Sequence, residues 1–282
     1  MIEARIRPRG VYSLRLSTRF ASDATRRVEG GVLTALLPEG RARAWQRPDG
    51  VVEVRADSEP AVERLRFCLA LDDDHPEFLR RFAGDPLLGE TTRRLRGLRP
   101  VRVATVTQAL LRALAGQLIA ASEARRIERR VVRAAVPAAG PDELRAPPTA
   151  AQLGAFSPAQ LHRYGLGTRR ATTLVRLCRT LDPERLREVG SAAVAARLQR
   201  EPGLGPWSVG VVALQGLGRY DLGLARDLGL VKLLSELRGR WVEAPETDEL
   251  LEPYGEWAGL ASVYLLAGYA QGLVPVRRAA AA

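Results

Sequence analysis

The chain has 282 residues, 46% of them hydrophobic, which is enough for one large domain or two ordinary ones and excludes disorder as a description of the whole. Lys+Arg of 43 against Asp+Glu of 32 gives a net charge of +11, the balance of a protein that meets a polyanion, although a GC-rich genome would produce the same excess because Lys232 is the only lysine. Two cysteines far apart, Cys68 and Cys178, and two histidines, His75 and His162, exclude a zinc or iron–sulfur site and a histidine-based triad.

From the amino terminus, Val11 to Phe20, Gly31 to Leu37, Arg41 to Trp45 and Val51 to Arg55 read as short strands, separated by Glu39-Gly40 and Pro48-Asp49-Gly50. Helical spacing follows over Pro60 to Leu71, through Val62, Leu65, Phe67 and Leu69, so residues 1–90 are expected to form a small α+β domain with an antiparallel sheet. Beyond Asp85 the strand signal vanishes. Helical periodicity takes over in Val106-Leu110-Leu114 and Ile127-Val131-Val132, and residues 91–275 are expected to form a helical domain.

Pro137 to Ala151 reads as a surface loop, and residues 276–282, with Arg277-Arg278 and a run of alanines, as a frayed tail. Ser157-Pro158 opens a helix that ends at Gly165-Leu166-Gly167-Thr168, and a second helix runs from Arg169 to Leu181. This first Gly-Leu-Gly is expected to be a structural αL turn. Neither a secretory core after Met1-Ile2-Glu3-Ala4-Arg5 nor a run of about eighteen apolar residues is present. A soluble, cytoplasmic protein without membrane segments is expected.

The pattern recurs at Pro202-Gly203-Leu204-Gly205-Pro206-Trp207. Glycines there can take positive φ and let a backbone approach, and Pro206 suits a first helical position whose amides would face an anion such as a phosphate. A plain tight turn has the same sequence signature. Some two dozen residues on, Asp227 opens an apolar run over Leu228 to Leu237. An N-cap is its commonest explanation, and the same helix end would stabilise an ionised carboxylate facing a developing positive charge. Trp207 and Trp257 fall near the suspected site, whereas Trp241, after Arg238-Gly239-Arg240, reads as packing.

Taken together, Arg112-Ala113-Leu114-Ala115-Gly116-Gln117-Leu118-Ile119, Pro202 to Ser208, Arg226-Asp227-Leu228-Gly229-Leu230 and Trp257 resemble the helix-hairpin-helix-GPD superfamily of DNA glycosylases, in particular its alkylated-base, 3-methyladenine DNA glycosylase II branch. The resemblance runs over nearly the whole chain. It implies a mainly α fold, a helix-hairpin-helix glycosylase domain preceded by the small α+β domain, acting as a monomer on double-stranded DNA with damaged bases and needing no cofactor or metal. It also implies Asp227 as the catalytic acid, Gly203, Leu204 and Gly205 as the DNA-backbone hairpin, Leu118 as the wedge filling the space of an extruded nucleotide, and Trp207 and Trp257 as base-pocket aromatics. Val211 and Leu228 stand where some members have tyrosines. Members that also nick the strand carry a lysine where this chain has Trp207, so the resemblance implies a monofunctional enzyme. An oxidised-purine glycosylase of the same fold and a non-catalytic DNA-binding module, in which Asp227 only caps its helix, are the alternatives.

Overall fold

A computed structural model describes residues 1–140 and 143–276. Five strands, β1 (Ile2–Ile6), β2 (Arg26–Glu29), β3 (Val32–Leu37), β4 (Gly40–Gln46) and β5 (Val52–Ala56), form one antiparallel sheet in the order β1-β5-β4-β3-β2. Alternation along β3 buries Leu33, Ala35 and Leu37 on one face, as a period-2 pattern requires. Among the helices, α1 (Leu14–Ser17) is a single turn, and α2 (Glu59–Cys68) covers the sheet with Ala61, Val62, Leu65 and Cys68. Ser58 starts α2 by accepting the Ala61 amide at 3.2 Å.

The segment Val11 to Phe20, expected as a strand, is instead a loop and the turn α1. Its alternation of apolar and polar residues mimics a strand, but the Ser13 hydroxyl caps Leu16 and the Gln46 side chain accepts the Leu14 amide at 2.9 Å, which winds the backbone into a turn. The edge strands β1 and β2 were not expected from the sequence. β2 contains Arg26, whose buried guanidinium donates to the carbonyl of Ala21 at 2.7 Å and to that of Arg102.

The helical part follows: α3 (His75–Arg81), α4 (Gly89–Arg94), α5 (Val106–Gly116), α6 (Ala121–Ala135), α7 (Ala150–Gly154), α8 (Pro158–Arg163), α9 (Thr168–Thr180), α10 (Ser191–Gln199), α11 (Pro206–Val211), α12 (Leu228–Arg238), α13 (Thr247–Leu251) and α14 (Ala258–Ala270). At its centre, α5 buries Val106, Ala109, Leu110, Leu111, Ala113 and Leu114, and a helix apolar on every side must be surrounded by others. Glu184 from a neighbouring 3-10 turn accepts the amides of Val106 and Thr107 at 3.1 and 3.0 Å, placing a negative charge at the positive end of α5. α11 continues into a π-helical turn over Val212–Leu217. There Gly216 lies so close to α5 that a Cβ would stand 2.7 Å from that of Ala109.

Two apolar cores result, one between sheet and α2 and one among the helices, and the chain crosses between them: Ala24 belongs to the helical core and Ala104 to the sheet core. Between α6 and α7 the described residues carry no regular element. The expected frayed tail, apart from Val276, lies outside the described residues. Among those described, no helix is long and apolar enough to cross a membrane, and both cysteines are free and buried.

Candidate active site

A cleft of about 1710 Å³ runs between the Leu16–Arg26 segment and the helical part. Its walls include Asp227, Trp207, Gly203, Leu204, Gly205 and Leu118. Residues scattered over more than a hundred positions of sequence thus meet at one opening.

The hairpin between α10 and α11 is held from behind. Glu201 pairs with Arg176 at 3.0 Å and Arg197 at 2.6 Å, and the Thr173 hydroxyl donates to the Pro202 carbonyl at 2.9 Å. Gly203 and Gly205 are exposed, while the Leu204 side chain is buried in the helical core and anchors the turn. Gly203 takes φ +94°, which favours glycine, whereas Gly205, the N-cap of α11, has φ −91° and ψ 179° and needs no such freedom. Of the two hairpin glycines, one is therefore required by backbone geometry. Leu204 offers the cleft only its backbone.

Asp227 is the N-cap of α12: its Oδ1 accepts the Gly229 amide at 2.7 Å. Its Oδ2 accepts the Trp207 indole N–H, also at 2.7 Å. Capping and a place in the cleft are thus compatible, because a different oxygen serves each. Half-buried Asp227 lines the cleft with apolar Leu228, Val211 and Leu266, and the aromatic residues of its lining are Phe20, Trp207 and Trp241.

Leu118 closes the turn between α5 and α6, is 98% exposed, and has φ +56°. A leucine in the left-handed region is unfavourable and persists only where its surroundings impose it. The preceding residue ties the turn down: the Gln117 side-chain Nε2 donates to the Gly203 carbonyl at 2.6 Å and to the Ser208 hydroxyl at 2.9 Å. The Leu118 turn and the hairpin are one hydrogen-bonded unit, and nothing in the sequence marked Gln117 as the link.

Trp257 is not brought to this site. It stacks on Tyr220 with centroids 6.2 Å apart, lies 5.8 Å from Phe78, and its Nε1 has no hydrogen-bond partner among the described residues. The reason is position: Trp257 closes the 3-10 turn that precedes α14 and packs on Tyr220 and Phe78, whereas Leu266, within α14, faces the cleft. Trp241, expected to pack internally, is instead 64% exposed and lines the cleft beyond the far end of α12, and the exposed Lys232 lines it too. Phe20, from the segment expected as a strand, is 72% exposed on the facing wall.

Near the Leu118 turn, four buried charges, Asp23, Arg26, Arg112 and Glu128, line the same cleft. Arg112 contacts Asp23 at 2.7 Å and Glu128 at 2.8 Å, and Arg26 lies 3.3 Å from Asp23. Burial pushes the Asp23 carboxyl up, but Arg26 and Arg112, with the Thr25 amide and hydroxyl, hold it below its ordinary value. Burial works against the Arg112 charge too, and Glu128 and Asp23 more than offset it. Among the described residues there is no cluster of side chains suited to a metal ion.

No family model matches the chain. A DNA-3-methyladenine glycosylase of Bacillus subtilis (strain 168) is 23% identical over 273 residues, covering 88% of this chain and 89% of that protein. The 3-methyladenine DNA-glycosylase from Archaeoglobus fulgidus superposes with a TM-score of 0.82 at 20% identity over 95% of this chain and 98% of the other. The 8-oxoguanine glycosylase/lyase of Clostridium acetobutylicum, in complex with double-stranded DNA, gives 0.79 at 18% identity over 93% of each chain. The structural likenesses establish the fold: mainly helical, with a small antiparallel sheet ahead of the helix-hairpin-helix unit. Fold, hairpin and sequence relative together support the resemblance of the chain to the helix-hairpin-helix-GPD superfamily of DNA glycosylases.

Proposed function

We propose that this chain is a monofunctional DNA glycosylase that hydrolyses the N-glycosidic bond of alkylated, 3-methyladenine-type bases flipped out of duplex DNA. The observation that carries the reading is the placement of the Asp227 carboxylate in the cleft beside the Gly203 hairpin, with Trp207 against it. The target bond is out of reach inside a stacked duplex, so the nucleotide must leave the helix at a cost of a few kcal/mol, roughly 2–5. Leu118 entering the vacated space and phosphate contacts at the exposed Gly203 and Gly205 backbone offset that cost.

As the bond between C1′ and the base nitrogen breaks, its electron pair leaves with the base and the sugar acquires oxocarbenium character. An ionised Asp227 stabilises that cation and aligns the water whose oxygen bonds to C1′. A base alkylated on a ring nitrogen already carries positive charge and departs as a neutral molecule, so modest catalysis suffices for damage while intact purines survive. Stacking of such a cation on Trp207 favours it by about 0.5–2 kcal/mol, at most roughly thirtyfold. The pocket supplies part of the selectivity, and the leaving group supplies the rest.

Trp207 occupies the position two residues past Gly205 where strand-nicking relatives form a Schiff base through lysine, which supports simple hydrolysis over lyase chemistry. A second reading, an oxidised purine as substrate, draws on the comparable structural likeness to an 8-oxoguanine glycosylase/lyase. Incubating methylated and 8-oxoguanine duplexes with wild-type protein and Asp227→Asn, and measuring free base, tests both. Release from methylated DNA is expected to fall by at least about a hundredfold in the variant. Equal release by the two proteins removes Asp227 from the mechanism, release from 8-oxoguanine alone selects the second reading, and duplex binding without release leaves a DNA-binding module. Covalent trapping on abasic DNA with borohydride would contradict the absence of lyase activity.

A further inference from the structure

Trp207 has so far served as an aromatic wall, but its edge does something different from its face. The indole N–H donates to Asp227 Oδ2 at 2.7 Å, and apart from the Gly229 amide on Oδ1 it is the only donor to that carboxylate among the described residues. The two donors come from separate elements, the start of α11 and the start of α12, and each takes a different oxygen. Rotation of the carboxylate about its Cβ–Cγ bond breaks at least one of them.

The other end of the indole is fixed as well. A Cβ on Gly116 would stand 2.8 Å from Trp207 Cη2, so the six-membered ring occupies the space that any larger residue at the end of α5 would fill. Gly116 lies two residues before the wedge Leu118, and Gln117 between them binds Ser208, the neighbour of Trp207. The ring therefore spans the distance from the wedge turn to the acid as a rigid strut.

We infer that Trp207 is a positioning residue: its indole N–H sets the orientation of the Asp227 carboxylate and ties that orientation to the turn that carries Leu118. The inference rests on the reading that Asp227 acts on the sugar. It assigns the ring edge a task separate from base stacking, which uses the ring face and does not need nitrogen. Phenylalanine keeps an aromatic face and lacks the donor, so it separates the two tasks.

The test compares single-turnover release of methylated base at saturating enzyme for wild type, Trp207→Phe, Gly116→Ala and Asp227→Asn, with binding to an abasic-analogue duplex in parallel. Misorientation of a catalytic group on this scale costs about 10- to 100-fold in rate, the loss expected for Trp207→Phe with duplex affinity unchanged, and Gly116→Ala, which pushes the ring aside, is expected to lose rate in the same direction. Indole N–H resonances give a readout that packing alone does not move. The resonance missing from Trp207→Phe identifies Trp207, and in Asp227→Ala it is expected to shift upfield towards a free indole. Wild-type rates in Trp207→Phe while Asp227→Asn is inactive, or an unmoved indole resonance in Asp227→Ala, overturns the positioning role. Full activity in Asp227→Asn instead overturns the reading beneath it. Should Trp207→Phe fail to fold, the Gly116→Ala rate decides: a loss supports the positioning role and a wild-type rate overturns it.

Discussion

Replacing Arg112 by methionine removes the hub of the buried charge network beside the cleft. Asp23 and Glu128 have side chains 4% and 3% exposed, and Arg112 reaches them at 2.7 and 2.8 Å, with Nε a further 2.9 Å from Glu128. Methionine fills a similar volume but leaves two carboxylates facing the single cation Arg26 in a site with little water. Breaking a buried ion pair from one side costs about 3–5 kcal/mol, because the stranded charge keeps its desolvation penalty. For a chain of this length the unfolding entropy is roughly 0.6 kcal/mol per degree, so the melting temperature is expected to fall by roughly 5–8 °C.

Circular dichroism during thermal and urea unfolding measures this loss, and the double variant Arg112→Met, Glu128→Leu is expected to recover most of it by restoring charge balance. The pH dependence has a defined sign. Because Asp23 is depressed in the folded state, its contribution is present above its unfolded value near 3.9 and lost as the pH falls through the folded one. Without Arg112 that depression shrinks, so wild type and variant are expected to converge as the pH drops below about 4. A loss under about 1 kcal/mol at neutral pH, the size of an exposed pair, would refute the argument that these charges depend on one another.

Leu118→Ala should leave the melting temperature unchanged, because the side chain is 98% exposed, while base release falls roughly 5- to 30-fold for about 1–2 kcal/mol of lost apolar filling, measured by single-turnover assay; wild-type release rules out the wedge. His75 is 1% exposed, neither ring nitrogen has a hydrogen-bond partner within normal geometry among the described residues, and burial, with Arg99 and Arg102 nearby and only the Asp73 backbone opposing, pushes its pKa down to about 3. The unfolded ring takes up a proton near 6.5 and the folded ring only near 3, so stability is complete above the first value and declines as the pH falls between the two. His75→Phe is expected to remove up to roughly 3 kcal/mol of that acid sensitivity in urea titrations at pH 7 and pH 4, and an unchanged slope would show that the ring titrates equally in both states.

What the amino-acid order determined by itself was local. Period-2 alternation in Val32–Leu37 and Val52–Ala56, 3.6-residue spacing in Val106–Gly116, and the caps at Ser58, Ser157 and Asp227 depend on neighbours within a few residues, and each marks an element that is present. The same local patterning misled at Val11–Phe20, where a serine cap and a distant glutamine outweigh the alternation. Tertiary structure alone decided which way side chains point. Trp257 ends the turn before α14 and packs against Tyr220, Leu266 within α14 lines the cleft, and Trp241 emerges beyond the αL cap Gly239. It also decided the long-range links: Gln117 to Gly203, Trp207 to Asp227, and Asp23 to Arg112 join residues 20 to 89 positions apart, and no window of sequence contains the geometry that closes them. Composition and spacing identify the parts of a site, but hydrogen bonds across the fold fix their orientation.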